Sequence, residues 1–363
     1  MSTSEETGGD LSNDILLIYA PYPEKGAWAE RLTRRFKGLK VRWVISAKSP
    51  LVVPKAEDLD AEAWDGVTLL ATFMPPPAEF LSKVRFVQLT TAGVDRWPGH
   101  LKYQDESTIF CTSNGVHATQ IAEWVIGAWL AHQHAFLNYA EHMKTGFWQS
   151  PFTAKVQDST EMRIGILGYG AIGRQCARLA TTLGMEVYAY TRGERATPES
   201  RKDDSYCVPG TGDPDGLLPS KWFHGISKED INSFLGQDLD LLVISLPLNS
   251  ETRHILSHEQ FEILSGNKTF VANIARGGHI NQEALIKALE TGQIRGAALD
   301  VTDPEPLPSD HPLWKAPNLL ITPHISWKTD ALFDRLLNIL ELNLDKLAAG
   351  QPLINVVNRQ LHY

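Results

Sequence analysis

The chain has 363 residues, which is long for one ordinary domain, and 43% hydrophobic and 21% charged residues are typical of a folded globular protein. With 34 basic and 43 acidic side chains the net charge is −9, so the surface as a whole repels nucleic acid and anionic lipid. Three cysteines without metal-type spacing, no apolar run of about 18 residues and an acidic start unlike a signal peptide predict a cytoplasmic protein that does not enter a membrane.

The first part of the chain predicts an α/β unit. Residues 1–14 are polar and acidic, and they are predicted to form a disordered tail. Short apolar runs then alternate with helical patterns, which is typical of βαβ units and a parallel sheet. The predicted strands cover residues 15–19, 41–44, 67–70 and 84–89, with a helix over 28–36.

A long apolar helix around residues 121–130 separates this unit from a second βαβ series. The last predicted helix, over 329–349, ends before Gly350 and Pro352. Residues 193–227 are rich in proline and glycine and have little periodicity, so they are predicted to be an excursion over the surface. The strands of the second series are predicted at 163–167, 186–190, 241–245, 269–274, 296–299 and 319–321.

The fold class that follows is α/β, with two doubly wound parallel-sheet domains. Because the two ends of a domain often lie near each other, the last helix is expected to return to the first unit. The predicted boundaries are 15–120 plus 328–363 for one domain and 121–327 for the other.

A glycine-rich turn follows the first strand of the second series and opens a helix. Its residues are Gly168, Tyr169, Gly170, Ala171, Ile172 and Gly173. In such a turn the first glycine permits the tight bend, the second lets the backbone approach a pyrophosphate, and the third lets helix and strand pack closely. Strand before and helix after favour a dinucleotide-binding site.

The end of the next strand bears on the choice between NAD and NADP. An NAD site normally has a carboxylate there for the ribose 2′-hydroxyl, but this chain has Thr191 and Arg192, with Arg195 nearby. An arginine suits a 2′-phosphate, so the sequence favours NADP(H), with NAD(H) bound more weakly. Alternatively, Arg192 is a solvated loop cation and both cofactors are accepted.

Four ionisable residues follow three later strands of the second series. Arg276, Asp300 and His324 each come just after a strand, and Glu305 lies in the loop beyond Asp300. Open parallel sheets bind ligands at this edge, so these side chains are candidates for one site. Taken singly, each also has a structural interpretation, as an ion pair, a loop charge or a capping histidine.

Several motifs together resemble the D-isomer-specific 2-hydroxyacid dehydrogenase family, from about residue 65 to 357. They are Thr90–Asp95, the glycine-rich turn, Ser245–Leu248 with Thr252, Asn273–Gly278, Asp300–Pro306 and Thr322–Ile325. The resemblance implies a Rossmann coenzyme domain inserted into a flavodoxin-like substrate domain, with the active site in the cleft. Two departures are Thr191-Arg192 and the long stretch 193–227.

The resemblance also implies roles for residues. His324 is expected to be the general acid/base, Glu305 its hydrogen-bond partner favouring the imidazolium form, and Arg276 the cation that holds the substrate carboxylate. The backbone of Thr91, Ala92 and Gly93 resembles a carboxylate cradle. Together with Arg276 and His324 it is expected to form the substrate site. Cofactor contacts are expected at the glycine-rich turn, Thr191, Arg192, Arg195, Leu246, Pro247, Ile274, Ala275, Asp300 and His324, with Asp300 on the nicotinamide carboxamide.

The function implied is reduction of 2-oxo acids to D-2-hydroxy acids by NADPH. Alternatives are a glyoxylate/hydroxypyruvate reductase, which differs in pocket size, and a cofactor-sensing co-repressor of the same fold that binds without turnover. No metal is needed for this chemistry and no metal-type spacing is present. The expected partners are a small 2-oxo or 2-hydroxy acid and a second copy of the chain, in contact through the tryptophan-rich helix near residues 123–130, with neither nucleic acid nor membrane.

Overall fold

The computed structural model describes residues 11–45, 53–153 and 155–360. The chain forms two compact units, one of Met1–Val116 with Asp330–Tyr363 and one of His117–Thr329, here called unit 1 and unit 2. The middle of the chain is thus inserted in the sequence of unit 1.

The predicted disordered tail needs a correction at its end. Residues 1–10 lie outside the described residues, but Leu11 and Asp14 are buried. The Asp14 carboxylate accepts a hydrogen bond from the Thr68 hydroxyl at 2.6 Å and pairs with the Arg85 guanidinium at 2.6 Å. The prediction of disorder is therefore wrong for residues 11–14, because the partners of Asp14 lie more than fifty residues away along the chain.

The described residues contain twelve strands in two sheets, and every pairing is parallel. Those of unit 1 are β1 Ile15–Tyr19, β2 Lys40–Trp43, β3 Leu69–Thr72, β4 Phe86–Leu89 and β5 Ile109–Cys111. Those of unit 2 are β6 Arg163–Leu167, β7 Glu186–Thr191, β8 Lys221–His224, β9 Leu241–Ile244, β10 Phe270–Asn273, β11 Gly296–Leu299 and β12 Leu319–Ile321.

The described α-helices are interspersed with these strands along the chain. They are α1 Gly26–Arg35, α2 Ala61–Trp64, α3 Leu101–Gln104, α4 Ala118–Gln133, α5 Phe136–Thr145, α6 Ala171–Thr182, α7 Pro198–Arg201, α8 Lys228–Leu235, α9 His258–Leu264, α10 Gln282–Glu290 and α11 Leu332–Ala348.

The order of the strands confirms the predicted fold class. In unit 1 the order is β2-β1-β3-β4-β5, which is that of flavodoxin-like sheets. In unit 2 it is β12-β11-β10-β9-β6-β7-β8, so the order reverses between β6 and β9 as in dinucleotide-binding sheets. Ligands of such sheets bind at the carboxyl ends of the strands beside this reversal.

The strands of unit 2 are apolar on both faces because helices cover both sides of the sheet. Leu167, Leu242 and Val271 belong to the cluster on one face, with side chains of α8, α9 and α10. Ile166, Val243 and Ala272 belong to the cluster on the other face, with side chains of α4 and α6. The continuous apolar runs in the sequence reflect this double burial.

The carboxyl-terminal helix packs within unit 1 through apolar and polar contacts. Leu336, Leu340 and Leu344 are buried, and the buried Asn343 side chain donates to the Gln88 side-chain oxygen at 2.8 Å. The same Asn343 accepts from the Ile354 backbone N–H at 2.7 Å, so α11, β4 and the chain end share one buried polar contact.

Two strands differ from the sequence expectations. β5 was not expected, and β8 lies inside the stretch predicted as a surface excursion; both are short edge strands whose few residues give little apolar signal. In α4, Val125 and Trp129 are fully buried in the core of unit 2. Glu123 and Gly127 of the same helix are exposed, and its predicted contact with a second copy of the chain stays a prediction.

Candidate active site

The glycine-rich turn joins β6 to α6 beside the reversal of strand order. A β-carbon at Gly168, which has φ +98°, would lie 2.7 Å from the Ser245 carbonyl oxygen, and one at Gly173 would lie 2.3 Å from the Gly168 carbonyl oxygen. A β-carbon at Gly170 would meet nothing within 4 Å. Two glycines are thus required by close packing, and the middle one leaves the backbone approachable at the start of α6.

This geometry fits the pyrophosphate of a dinucleotide. Helix α6 begins after Gly170 without a side-chain cap. The N–H groups of its first turn therefore lie at the positive end of the helix dipole without a capping side chain. Among the predicted contact residues, Ala171 is buried and Ile172 is half-buried, so these two would contribute mainly backbone groups. Tyr169 is also buried, and its hydroxyl donates to the Asp213 carboxylate at 2.8 Å.

The end of β7 carries the predicted adenosine-side residues. Thr191 donates its hydroxyl to the Gly193 carbonyl at 2.7 Å. The exposed Arg192 guanidinium lies 3.4 Å from the Glu251 carboxylate, and both side chains are about half exposed (50% and 49%). The Arg195 guanidinium donates to the Ser200 carbonyl within the loop, and its predicted contact with the cofactor stays a prediction.

Sequence reasoning missed Glu251 as the neighbour of Arg192. It lies in the loop after β9, about sixty residues further along the chain. No local pattern joins the two positions; only the parallel order of β7, β6 and β9 brings their carboxyl ends to one edge. An exposed pair of this kind contributes little to stability, so an anionic ligand competes with Glu251 at low cost.

The loop after β9 is attached to the glycine-rich turn. Ser245 donates its hydroxyl to the Gly168 carbonyl at 2.6 Å. Leu246 packs against the core of unit 2, whereas Pro247 is exposed and its carbonyl accepts from the Thr252 hydroxyl at 2.8 Å. Leu246 and Pro247 therefore lie on the same sheet edge as the turn, as predicted cofactor contacts require.

The loop after β10 carries Arg276 on a tightly held backbone. Ile274 and Ala275 are buried, and Arg276 is half-buried with its guanidinium donating to the Ala275 carbonyl at 2.7 Å. The Arg276 carbonyl accepts from the Asn273 side chain at 2.9 Å and lies 2.9 Å from His279 Nδ1. Burial lowers the pKa of His279, which favours the neutral ring, and Nδ1 makes the shorter of its two carbonyl contacts, since Nε2 lies 3.4 Å from the Pro247 carbonyl.

Asp300 follows β11 and is buried, with 1% of its surface exposed. One carboxylate oxygen accepts from the Thr322 hydroxyl at 2.5 Å and the Ile325 N–H at 2.9 Å. The other accepts from the N–H and the hydroxyl of Ser326, at 3.0 and 2.5 Å. All four donors belong to the loop after β12, so this carboxylate determines the shape of that loop. The predicted contact of Asp300 with the nicotinamide carboxamide stays a prediction.

His324 lies in the middle of the loop that Asp300 holds. Its backbone is in the left-handed region, with φ +51°, and its N–H donates to the Asp300 carbonyl at 2.8 Å. The ring Nδ1 lies 2.6 Å from the Glu305 carboxylate, and about 40% of each side chain is exposed. Glu305 therefore fixes the orientation of the ring, with Nε2 as the opposite nitrogen.

The predicted ionisable residues of unit 2 meet at one sheet edge. β10, β11 and β12 are neighbours, and Asn273 is in register with Leu299, which is in register with Ile321. The residues that follow these strands, Arg276, Asp300 and His324, therefore emerge side by side. The structure places Glu305 in direct contact with His324.

The predicted carboxylate cradle, Thr91, Ala92 and Gly93, belongs to unit 1. It follows β4, at the carboxyl edge of that sheet. The Thr91 hydroxyl donates to the Gly93 carbonyl at 2.7 Å, and the Thr91 carbonyl accepts from Ser113 N–H at 2.9 Å. Ala92 is exposed, so the backbone at this bend is accessible.

The part of the chain that the structure describes offers neither a metal centre nor a membrane span. It contains no group of three or more histidine, cysteine or acidic side chains able to hold a metal ion. None of its helices is both long and apolar enough to cross a bilayer.

Two doubly wound sheets, with a glycine-rich turn at the reversal of one of them, define a nucleotide-binding α/β protein. Residues 126–209 and 219–326, more than half of the chain, match the family model described as D-isomer specific 2-hydroxyacid dehydrogenase, NAD binding domain. The chain belongs to the D-isomer specific 2-hydroxyacid dehydrogenase family, and unit 2 contains its NAD-binding domain.

Individual relatives agree with this assignment. A glyoxylate reductase of Thermofilum pendens is 28% identical over 250 residues, which are 68% of this chain and 67% of that protein. A glyoxylate/hydroxypyruvate reductase A of Salmonella paratyphi C is 24% identical over 356 residues, or 96% of this chain and 99% of that protein. A D-isomer specific 2-hydroxyacid dehydrogenase from Xanthobacter autotrophicus Py2, solved with NADPH and MES, has 26% identity and a TM-score of 0.72, with 97% of this chain and 100% of that chain covered.

The role of Asp300 in shaping the His324 loop is testable with Asp300→Asn. The substitution places an amide N–H₂ opposite donors, so we expect a loss of about 1–3 kcal/mol in the free energy of unfolding, since a buried group is left unsatisfied. Urea unfolding monitored by tryptophan fluorescence measures it. Asp310→Asn, at an exposed loop position, is the control and should change the free energy of unfolding by less than about 0.5 kcal/mol. Equal, small effects of both substitutions would contradict the role.

Proposed function

We propose that this protein reduces 2-oxo acids to D-2-hydroxy acids with NADPH and that His324 donates the proton. The observation that carries the proposal is the His324–Glu305 contact of 2.6 Å at the sheet edge where Arg276 and the glycine-rich turn also lie. A positioned acid, a cation and a dinucleotide site at one edge are what reduction of a charged carbonyl compound requires.

Protonation of the substrate oxygen would use the nitrogen that Glu305 does not contact. The Glu305 carboxylate accepts from Nδ1–H, which leaves Nε2 of the imidazolium as the acid. When bound, NADPH supplies the hydride that reduces the carbonyl carbon. The basic oxygen formed takes the proton from His324, and the neutral ring regains one from solvent because about 40% of it is exposed.

Arg276 would hold the substrate carboxylate and stabilise the charge that develops on the reacting oxygen. Its backbone carbonyl is held by Asn273 and His279, so the point from which the Arg276 side chain extends is set before a ligand binds. Thr91, Ala92 and Gly93 remain proposed donors to the same carboxylate through their backbone.

Replacing the proposed acid tests the chemistry. His324→Gln removes the proton donor but keeps a polar side chain of similar size, so we expect kcat for 2-oxo acid reduction to fall by about 10²- to 10⁴-fold. Glu305→Gln should lower kcat less, because an amide still contacts the ring. Steady-state oxidation of NADPH at 340 nm measures both.

The control is His258→Gln, at the exposed first residue of α9, which should leave kcat unchanged. Wild-type rates in His324→Gln would contradict the proposed role of His324.

Arg276→Ala should raise KM for the 2-oxo acid and lower kcat, whereas the KM for NADPH depends mainly on other residues.

The preference for NADPH rests on Arg192 and on the absence of a carboxylate at the end of β7. Arg192 is exposed and pairs only weakly with Glu251, so its guanidinium is available to exchange that partner for a 2′-phosphate. The relative from Xanthobacter autotrophicus was solved with NADPH, which supports this preference. Arg195 donates to the Ser200 carbonyl, so Arg192 is the proposed main determinant of the preference.

Paired measurements with NADPH and NADH test the cofactor preference. Arg192→Gln should lower kcat/KM for NADPH by about 10- to 100-fold, the usual range for a charge-assisted hydrogen bond, and leave that for NADH nearly unchanged. Glu251→Gln is the matched variant, since it removes the competing carboxylate and should maintain or improve the use of NADPH. Wild-type protein that prefers NADH by about tenfold, or an equal loss with both cofactors, would contradict the proposal.

The 2-oxo acid itself is best identified with a panel. Some relatives are named glyoxylate reductase and glyoxylate/hydroxypyruvate reductase, which favours a small substrate for this chain. The panel therefore includes glyoxylate and hydroxypyruvate as well as pyruvate, 2-oxoisocaproate and phenylpyruvate. Turnover of any of them supports an enzyme. Binding of NADPH without turnover of any would favour the alternative of a cofactor-sensing protein.

A second copy of the chain is proposed to cover an apolar face of unit 2 that follows α4. Large apolar side chains are exposed there, among them Met143, Trp148 and Phe152, with Trp148 90% and Phe152 97% exposed. Single exposed apolar residues are ordinary, but this density within about 20 residues marks an interaction surface. This face, rather than the buried side of α4, is the proposed homodimer contact.

Light scattering after gel filtration tests the homodimer. Wild-type protein should have twice the mass of the 40.4 kDa chain. Trp148→Glu with Phe152→Glu should shift the mass toward one chain, because two buried carboxylates oppose association. Leu217→Glu, at an exposed apolar residue elsewhere in unit 2, is the control and should leave the mass unchanged. A monomeric wild type would contradict the proposal.

A further inference from the structure

Residues 193–220, between β7 and β8, form an ordered segment that is attached to the glycine-rich turn. The match to the family model leaves out residues 210–218 within it. The segment contains the short helix α7 and leads into β8, which pairs with β7. Half of its residues are exposed, as expected for an excursion over the surface, but Gly212, Asp213, Gly216 and Pro219 are buried.

Asp213 is the buried centre of this segment, with 6% of its surface exposed. Its carboxylate accepts from the backbone N–H of Leu217 at 2.9 Å and of Leu218 at 3.2 Å. The third donor is the Tyr169 hydroxyl, at 2.8 Å. Tyr169 lies between the first two glycines of the turn, so the carboxylate connects the segment to the turn itself.

Arg174 makes the second attachment and is also buried, with 5% exposed. It directly follows the last glycine of the turn. Its guanidinium donates to the carbonyls of Asp213 and Arg201, lies 3.1 Å from the Asp203 carboxylate, and is stacked 5.0 Å from the centre of the Tyr169 ring. One cation thus joins three parts of the segment to the turn.

Two further contacts join the segment to α6. The side chain of Gln175 accepts from the Gly212 N–H at 2.6 Å, and Arg178 donates to the Gly212 carbonyl at 3.1 Å. All four attachments are on residues 169–178, which cover most of the turn and the first two turns of the helix that it opens.

This concentration of polar contacts suggests more than fastening a loop. Burying a guanidinium and a carboxylate costs desolvation energy, and apolar side chains would hold a loop at lower cost. A glycine-rich turn, in contrast, has few side chains to restrict its own backbone and loses much conformational entropy when it becomes ordered. A turn that is already ordered binds its ligand more tightly.

We propose that Tyr169, Asp213 and Arg174 form a brace through which residues 193–220 hold the glycine-rich turn in its pyrophosphate-binding form. Tyr169 and Asp213 are positioning residues, because neither needs to touch the cofactor. The proposal rests on the proposed binding of NADPH at this turn and adds a cause for its affinity.

Removal of single polar groups tests the brace. In Tyr169→Phe and Asp213→Asn, Kd for NADPH, measured by titration calorimetry, should rise about tenfold, or about 1.4 kcal/mol. KM for NADPH should rise with Kd, whereas KM for the 2-oxo acid should not. Both variants act on the Tyr169–Asp213 hydrogen bond, so the loss in the double variant should be smaller than the sum of the two single losses.

A readout without cofactor accompanies the binding measurement. Hydrogen exchange of the ligand-free protein should become faster at residues 168–173 in both variants and stay unchanged in the sheet core. Tyr190→Phe is the matched control: among the described residues the Tyr190 hydroxyl is buried without a hydrogen-bond partner, so its removal should change neither Kd nor exchange at the turn.

The outcomes separate the brace from the proposed function. If the wild-type protein binds NADPH and both Tyr169→Phe and Asp213→Asn bind it with the same Kd, the brace alone is overturned. A fall in thermal stability with unchanged Kd would show that the contacts only stabilise the fold, and it would also overturn the brace. Wild-type protein that binds neither NADPH nor NADH would overturn the proposed cofactor, and the brace with it.

Discussion

The position of the proposed acid depends on the solvation of one buried charge, that of Asp300. An ionised carboxylate is stable away from water only when its lone pairs have donors, and here four donors come from Thr322, Ile325 and Ser326. These residues surround His324, so the hydrogen bonds that stabilise the charge also define the shape of the loop. The left-handed backbone of His324 costs about 1 kcal/mol or more and is tolerated because the surrounding bonds leave the loop no alternative.

Much of the fold could be predicted because parallel sheets covered on both sides leave a strong signal. β6, β9 and β10 are buried on both faces and appear in the sequence as continuous apolar runs between polar loops. The edge strands β5 and β8 have only three and four residues, so no such run marks them. Asp14 was misjudged for a related reason, since a polar residue is predicted to be exposed unless its distant partners are known.

The candidate site shows the same division between local and distant information. The positions of Arg276, Asp300 and His324 could be predicted because each follows a recognisable strand, and strand ends of a parallel sheet meet at one edge. Their partners could not be predicted in this way. Glu251 beside Arg192 and Asp213 beside Tyr169 are separated from them by about 40 to 60 residues, and their proximity results from strand order and from a segment without periodicity.

Gly277 limits how the site is able to move. A β-carbon there would lie 2.0 Å from the Thr302 carbonyl carbon and 2.5 Å from the Asp303 nitrogen, so the backbones after β10 and β11 touch with no side chain between them. Backbones in such contact shift together, as one rigid body, rather than as independent loops. Arg276 and the stretch leading to Glu305 would therefore travel jointly in any rearrangement, and the spacing between the cation and the carboxylate that orients the imidazole would survive it.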